Sequence, residues 1–225
     1  MLFGAGGLLP FAKEMNDRES KLYLRSLREQ WKKFAPSFHS ERVNGSEWQF
    51  FRLRPENFPT IRLAGAVRLT QRLLHGNFFK SIVQTVKATD TGSGEKFKLL
   101  EQMFIVSSDG FWKSHFRFGQ KSSVEIKTLI GRHRADEILL NVIIPICLLY
   151  ARIFKDKEVR HGILKIFEQC PPLSDNTITR TMERQLMRGR LRLDSAMIQQ
   201  GTVQLYKCYC VEERCGECAI GKSVF

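Results

Sequence analysis

Four cysteines crowd the C-terminal end of the chain: Cys208, Cys210, Cys215 and Cys218. Cys215 and Cys218 form a Cys-x-x-Cys pair, a spacing that allows two thiolates to bind one metal ion from a tight turn. If the preceding helix extends to Tyr209, the side chains of Cys208 and Cys210 point about 200° apart and cannot both reach one ion. The predicted metal ligands are therefore Cys210, Cys215 and Cys218.

Three thiolates leave the fourth position of a tetrahedral site open. We expect zinc or an iron–sulfur cluster as the cofactor, because structural zinc sites and most iron–sulfur clusters take four ligands. The candidates for the fourth ligand are Cys208 after fraying of the helix, Cys170, a histidine, water or a group on another chain. The alternative is that the thiols hold no metal and have a structural or redox role.

A row of arginines is the best local signal for phosphate binding. Arg180, Arg184 and Arg188 recur every four residues on a helix that is predicted to start near Asn176. Like charges at this spacing destabilise an isolated helix by roughly a few tenths of a kcal/mol per pair, which favours an anion opposite the row. A solvated face is the alternative interpretation.

A second group of arginines surrounds a predicted turn, namely Arg52, Arg54 and Arg62. Pro59 suits the first position of a helix that runs to Gly76. Free backbone amides at such a helix start, together with guanidinium groups, would bind an anion. Alternatively, the arginines fix the turn by pairing with its own acidic residues and carbonyl groups.

Aromatic and basic residues alternate between Phe111 and Phe118. This composition suits the stacking of bases between phosphate contacts. Packing explains it equally well, because Trp112 and Phe116 are one helical turn apart and His115 could be an ordinary, satisfied imidazole. Both interpretations stay open from the sequence.

The overall charge points to an anionic partner. Thirty-six Lys and Arg oppose 23 Asp and Glu, which leaves a net charge of +13. Such a field attracts polyanions, so nucleic acid is a reasonable expectation, and a basic but otherwise ordinary domain is the alternative. We expect no membrane association. The cysteine usage favours a reducing, cytoplasmic location.

The hydrophobic pattern predicts an all-α fold: a compact helical bundle, with a minor irregular or short-strand portion and a cysteine-rich C-terminal tip. Asn16 and Glu19 have the form of a capping box that starts a first amphipathic helix. The apolar run 138–150 is predicted to be a central buried helix with a kink at Pro145. We expect a single domain over residues 1–225, with a hinge at the glycine- and serine-rich segment 88–95.

Several segments carry a resemblance to a known family, and they are spread over nearly the whole chain. The chain resembles the C-terminal half of a bacterial family of uncharacterised proteins, domain of unknown function 2851. The resembling segments are Leu2-Phe-Gly-Ala-Gly-Gly-Leu8, Phe51-Arg-Leu-Arg-Pro-Glu-Asn-Phe-Pro-Thr-Ile-Arg-Leu-Ala64, Trp112-x-x-His115-Phe116, Asn141 to Pro145, Asn176-x-Ile178, and Gln204-Leu205 through Cys210, Cys215 and Cys218 to Gly221.

The resemblance implies a missing partner half. Longer relatives carry an additional N-terminal half that looks like a nuclease-type fold with acidic metal-binding motifs, and residue 1 falls in the middle of the family pattern. A partner chain would then supply that half and, with it, the fourth ligand of the thiol site. The family tail matches Cys210, Cys215 and Cys218.

The sequence shows no recognisable set of catalytic residues, so we expect this chain to have no enzymatic activity of its own. The leading hypothesis is a non-catalytic helical domain that binds nucleic acid, DNA or RNA, or supports a nuclease-like partner. The arginines named above would contact the phosphates. The alternatives are a small metal- or iron–sulfur-dependent protein that uses the terminal cysteines, and a truncated scaffold without activity.

Overall fold

The computed structural model describes residues 1–38, 42–54, 57–187 and 192–224. Its internal contacts divide the chain into two compact units. Unit 1 is Met1–Phe78 with Phe104–Arg132, and unit 2 is Phe79–Met103 with His133–Phe225. The predicted fold class, mainly helical with a minor strand portion, is confirmed. The single domain and the hinge at 88–95 stay predictions.

Unit 1 combines helices with two small sheets. Its helices are α1 (Leu2–Ala5), α2 (Arg18–Phe34) and α3 (Pro59–Leu74), and its strands are β1 (Val106–Ser107), β2 (His115–Arg117), β3 (Gln120–Lys121) and β4 (Thr128–Ile130). Strand β1 pairs antiparallel with β4, and β2 pairs antiparallel with β3, where His115 lies opposite Lys121. Helix α3 starts at Pro59 as predicted, because proline needs no amide partner in a first turn.

The start of α2 differs from the prediction by one residue. The N-cap is Asp17 rather than Asn16, and its Oδ1 accepts a hydrogen bond from the Ser20 amide at 2.6 Å. The predicted capping box of Asn16 and Glu19 is therefore wrong. Since Glu19 is not used as a capping partner, its carboxylate is available for other contacts.

An aromatic cluster fills the core of unit 1. Phe3 stacks on Trp112 with ring centroids 5.6 Å apart, and Tyr23 stacks on Phe111 at 4.6 Å. Trp112 and Phe118 are 3% and 5% exposed, so these rings of the 111–118 segment pack inside the unit. The segment is a short 3-10 turn followed by β2, and the helical spacing that the sequence suggested does not apply.

Unit 2 contains the remaining helices, which are α4 (Phe78–Lys87), α5 (Ser93–Phe104), α6 (Arg132–Ile138), α7 (Ile144–Ile153), α8 (Lys157–Glu168), α9 (Thr177–Met182), α10 (Ala196–Leu205) and α11 (Ala219–Val224). Helices α4, α5 and α6 each have one terminal residue in unit 1. Asp156 caps α8 by accepting the Val159 amide at 3.1 Å, and Asn176 caps α9 in a capping box with Thr179. The core consists mainly of aliphatic side chains from α4, α5, α7 and α8.

The apolar run 138–150 is only half buried. A π-helical turn, Leu139–Ile143, joins α6 to α7, which places the irregularity just before Pro145. Leu139, Ile143 and other side chains of one face are buried, but Val142, Ile146 and Leu149 on the other face are 43–45% exposed. The predicted central buried helix is therefore buried on one face only. In the described part of the chain, no helix has the length and apolar character needed to cross a bilayer.

Candidate nucleic-acid interface and ligand clusters

Helix α2 carries a continuous stripe of positive charge. Its members are spaced alternately by three and four residues: Arg18, Lys21, Arg25, Arg28 and Lys32. At about 100° per residue, these five positions fall within about 80° around the helix axis. Arg18, Arg25 and Lys32 are exposed, and the other two are half-buried. We call this set the α2 stripe.

The α2 stripe is not neutralised by acidic neighbours. Within the described residues, no carboxylate lies within ion-pair distance of any of the five side chains. Arg28 donates to the carbonyl oxygens of Leu9 at 2.6 Å and Pro10 at 3.0 Å, which fixes its guanidinium group without cancelling its charge. Its guanidinium carbon also lies 4.4 Å from the centre of the exposed Phe11 ring.

The arginine row of unit 2 is only partly described. Arg180 lies on α9 and Arg184 lies in the π-helical turn Glu183–Met187, and both are exposed. Arg184 Nε donates to the Arg180 carbonyl at 3.3 Å, and among the residues with described positions neither arginine has a carboxylate partner. Arg188 lies outside the described residues.

The turn arginines of unit 1 divide into two kinds. Arg62 donates to Asn57 Oδ1, so at least this guanidinium helps to hold the turn before α3. Arg52 and Arg54 are exposed, and Arg52 adopts a positive φ of 57° with its guanidinium 4.9 Å from the Phe51 ring. Arg62 thus agrees with the alternative interpretation, in which these arginines fix the turn rather than bind an anion.

The three predicted thiol ligands share the C-terminal tip. Cys218 is buried and its amide donates to the Cys215 carbonyl at 3.2 Å, whereas Cys210 and Cys215 are exposed. Gly221 packs so closely on the Cys215 carbonyl that a β-carbon would overlap it. Burial, and then the neighbouring Cys218 and Cys215, raise the pKa of Cys210. The thiols therefore influence one another electrostatically.

The other cysteines are engaged elsewhere. Cys208 Sγ accepts a hydrogen bond from Gln204 Nε2 at 2.9 Å, one turn earlier. Cys170 Sγ donates to the Ile166 carbonyl at 3.3 Å, and burial raises its pKa to about 12. Burial likewise raises the pKa of Cys147 to about 11. Zinc or iron–sulfur ligation by Cys210, Cys215 and Cys218 stays a prediction.

A different group of ligand atoms converges in unit 1. Three ligand atoms, one each from Asp17, Glu19 and His115, lie within 4.8 Å of one another. The three terminal thiols, which are also described, do not meet this distance criterion. His115 Nε2 is 3.4 Å from Asp17 Oδ1 and 3.6 Å from Glu19 Oε2. Burial alone would raise the pKa of Asp17, but hydrogen bonds from Ser20 and, when His115 is protonated, its ion pair hold the pKa below its usual value.

Both unit 1 features escaped the sequence-based predictions. The α2 stripe has a visible signal, the three- and four-residue spacing of its cations, which a helical projection of α2 would have found. The cluster of Asp17, Glu19 and His115 has no sequence signal, because His115 is remote in sequence from the other two residues. Only the packing of β2 against the start of α2 brings them together.

A comparison with family models gives one match. The model described as "Protein of unknown function (DUF2851)" matches residues 1–176. Searches of curated proteins and of solved structures give no significant match. The matched range contains the α2 stripe and the Asp17, Glu19 and His115 cluster and ends before Arg180 and the thiol tip. The predicted partner half stays a prediction.

Proposed function

This chain belongs to the DUF2851 family, and we propose that it binds nucleic acid through the sugar-phosphate backbone, without catalysing a reaction itself. The α2 stripe is the observation that carries the proposal. It is a row of five cations on one helix, three of them exposed and two half-buried, without carboxylate partners in the described part of the chain.

Such a row has an energetic cost when no anion faces it. Each neighbouring pair of like charges, such as Arg18 with Lys21 or Lys21 with Arg25, destabilises the helix by about 0.2–0.5 kcal/mol. Phosphate groups would remove this repulsion, and their bound counterions would be released to solvent. Binding of a polyanion therefore relieves a strain that the free protein carries.

The dimensions of the stripe suit a nucleic-acid strand. From Arg18 to Lys32 the helix rises about 21 Å at 1.5 Å per residue. Successive phosphates of one strand are about 3.4 Å apart along the axis of a duplex. The stripe thus spans about six phosphate steps, and contacts of this kind position a protein without reading base sequence.

The charge of the surrounding unit supports the same proposal. Unit 1 contains 18 Lys and Arg against 9 Asp and Glu in its sequence, a larger excess than unit 2 has. An excess of cations raises the local concentration of polyanions and speeds their association. In unit 2, Arg180 and Arg184 offer a separate pair of exposed guanidinium groups, and Arg52 and Arg54 add to the excess in unit 1.

Neutralising the α2 stripe tests the proposal. The triple variant Arg18→Ala, Arg25→Ala and Lys32→Ala removes three exposed charges and keeps a good helix former at each position. Its matched control is Arg152→Ala, Arg160→Ala and Lys98→Ala, which changes two arginines and one lysine on exposed helical positions of unit 2. Fluorescence anisotropy with labelled duplex and single-stranded DNA or RNA measures both at moderate salt.

We expect the stripe variant to lose at least about tenfold in affinity, since three charged contacts are removed, and the control to stay close to the wild type. Equal losses in the two variants would show that net charge alone matters. Absence of binding by the wild type would remove the proposal.

A second candidate function rests on the thiol tip. Its support is the position of Cys215 and Cys218 in one tight turn, where the Cys218 amide donates to the Cys215 carbonyl at 3.2 Å, with Cys210 preceding them in the same C-terminal tip. Metal analysis and the visible absorption spectrum of anaerobically purified protein test it. We expect the wild type to contain stoichiometric zinc or iron and the variant with serine at all three positions to have lost it. Wild-type protein that is metal-free and stably folded would refute this candidate.

A further inference from the structure

A buried imidazole in unit 1 faces two carboxylates without a hydrogen bond to either. His115 is fully buried, and its Nε2 has no hydrogen-bond partner among the described residues. Asp17 Oδ2 is likewise buried and without a partner in that part of the chain. Leaving a buried polar group without a hydrogen bond is costly, so these two atoms require an explanation.

The other ring nitrogen has partners that allow the tautomer a metal ion needs. His115 Nδ1 lies 3.2 Å from the Phe111 carbonyl and 2.9 Å from Ser114 Oγ. A carbonyl oxygen only accepts, so Nδ1 donates to Phe111 in the form that carries the proton there, whereas the Ser114 hydroxyl can pair with either form. In the neutral ring, Nε2 then presents its lone pair to the carboxylates. Metal-binding histidines commonly use this arrangement, in which the second nitrogen donates to a carbonyl group that fixes the ring.

The separations between the ligand atoms suit coordination. The distances of 3.4 Å and 3.6 Å from Nε2 to the two carboxylate oxygens are longer than hydrogen bonds. Two ligands about 2.1 Å from a common cation at tetrahedral angles are about 3.4 Å apart. Stacking on Phe111 at 4.1 Å and the cap bond of Asp17 to Ser20 hold two of the three ligands in place.

One cation already competes for the site. Lys121 Nζ lies 3.0 Å from Glu19 Oε2 and partly neutralises it. Two carboxylates and one lysine still leave net negative charge beside the imidazole. Glu19 is 58% exposed at its side chain and borders an open groove of about 460 Å³ that Tyr23 and Phe111 also line, so a hydrated ion can reach it.

We infer that Asp17, Glu19 and His115 form a binding site for a divalent transition-metal ion, with water in the remaining coordination positions. One imidazole nitrogen and two carboxylate oxygens suit Mn²⁺, Fe²⁺ or Zn²⁺ rather than Ca²⁺. The site is independent of the proposed nucleic-acid binding and of the thiol tip, and it ties the start of α2 to β2.

Mn²⁺ is the probe that separates this site from the thiols, because manganese prefers oxygen and nitrogen ligands to thiolates. The free ion is followed by electron paramagnetic resonance during titration of the whole chain. The variants are Glu19→Gln and, as a matched control on the exposed side of the same helix, Glu29→Gln. Glu19 is chosen over the buried His115 so that folding is preserved.

We expect the wild type to bind one Mn²⁺ and Glu19→Gln to weaken binding roughly tenfold or more, a loss that even an outer-shell partner can cause. Glu29→Gln and the triple serine variant of the thiols should bind as the wild type does. Lys121→Met should bind more tightly, because it removes the competing ammonium group. Failure of the wild type to bind at millimolar free Mn²⁺, or equal affinity of Glu19→Gln and wild type, would overturn the inference.

Discussion

His115 Nε2 lies 3.4 Å from Asp17 Oδ1, so a residue of β2 meets the residue that caps α2. The cap determines where α2 begins, and packing of its apolar side chains determines which face is exposed. With Asp17 as N-cap, Leu24 is fully buried and Leu22 is 55% exposed. The same register places the cations of the α2 stripe towards solvent.

The register of α2 can be tested by two leucine truncations on one helix. Leu24→Ala removes a fully buried side chain and is expected to lower the free energy of unfolding by about 2–5 kcal/mol. Leu22→Ala, at a largely exposed position, should change it by no more than about 0.5 kcal/mol. Chemical denaturation measures both. Equal losses would mean that α2 is rotated and that its stripe does not face solvent.

The sequence identified local features of α2 and α3 better than long-range ones. Pro59 marked the start of α3 correctly because proline satisfies a local rule. Asn16 and Asp17 are both good N-cap residues, and the sequence pattern could not decide between two neighbouring candidates. The half-exposed face of α7 was missed because an apolar run gives no sign of which of its faces is covered.

The arginine pair of unit 2 leads to a separate prediction. Arg180→Ala with Arg184→Ala should weaken binding by about tenfold, and by the same factor on two unrelated duplex sequences, because phosphate contacts carry no sequence information. The exposed pair Arg152→Ala with Arg160→Ala is the matched control. A loss that differs between the two duplexes would indicate base contacts instead.

The cysteines should differ sharply in reactivity. Exposed Cys215 is expected to react with a thiol reagent quickly at mildly alkaline pH, and exposed Cys210 more slowly because its pKa is raised. Cys147 and Cys170 should resist, because burial hides them and raises their pKa to about 11 and about 12, so few thiolates form. Mass spectrometry of the labelled peptides gives the rates. Added zinc should slow Cys210 and Cys215 more than Cys208, and the reverse order would contradict the predicted ligand set.

An ion pair in unit 2 gives a pH-dependent prediction. Lys87 Nζ is 2.7 Å from Asp156 Oδ2, and this contact holds the pKa of Asp156 below its ordinary 3.8. A lowered folded-state pKa contributes stability that is present above the ordinary value and is lost as the pH falls through the folded one. Lys87→Met should therefore lower Tm at neutral pH.

The effect of Lys87→Met should shrink as the pH falls below 3.8 and through the lowered pKa of Asp156, because Asp156 is then protonated in both proteins. Lys80→Met, at an exposed position of the same helix, controls for the loss of one surface charge. A Tm difference that does not change with pH would show that Lys87 stabilises α4 by packing rather than by its charge.

The Asp17, Glu19 and His115 cluster illustrates what no local pattern could supply. Each residue has an ordinary explanation in its own segment, as a cap, a surface acid and a histidine among aromatic rings. Their chemistry emerges only from tertiary packing, which the sequence does not encode in any short spacing. The thiol tip differs, because its Cys-x-x-Cys spacing can be recognised in the sequence. That spacing does not by itself establish a bound metal.

The salt dependence of nucleic-acid affinity tests the central proposal most directly. The logarithm of the binding constant falls linearly with the logarithm of salt concentration, with a slope of about −0.9 for each duplex phosphate that the protein neutralises. The variant Arg18→Ala, Arg25→Ala and Lys32→Ala should therefore show a slope that is shallower than the wild-type slope by about 2.7. A wild-type slope that the variant retains in full would contradict phosphate binding by α2.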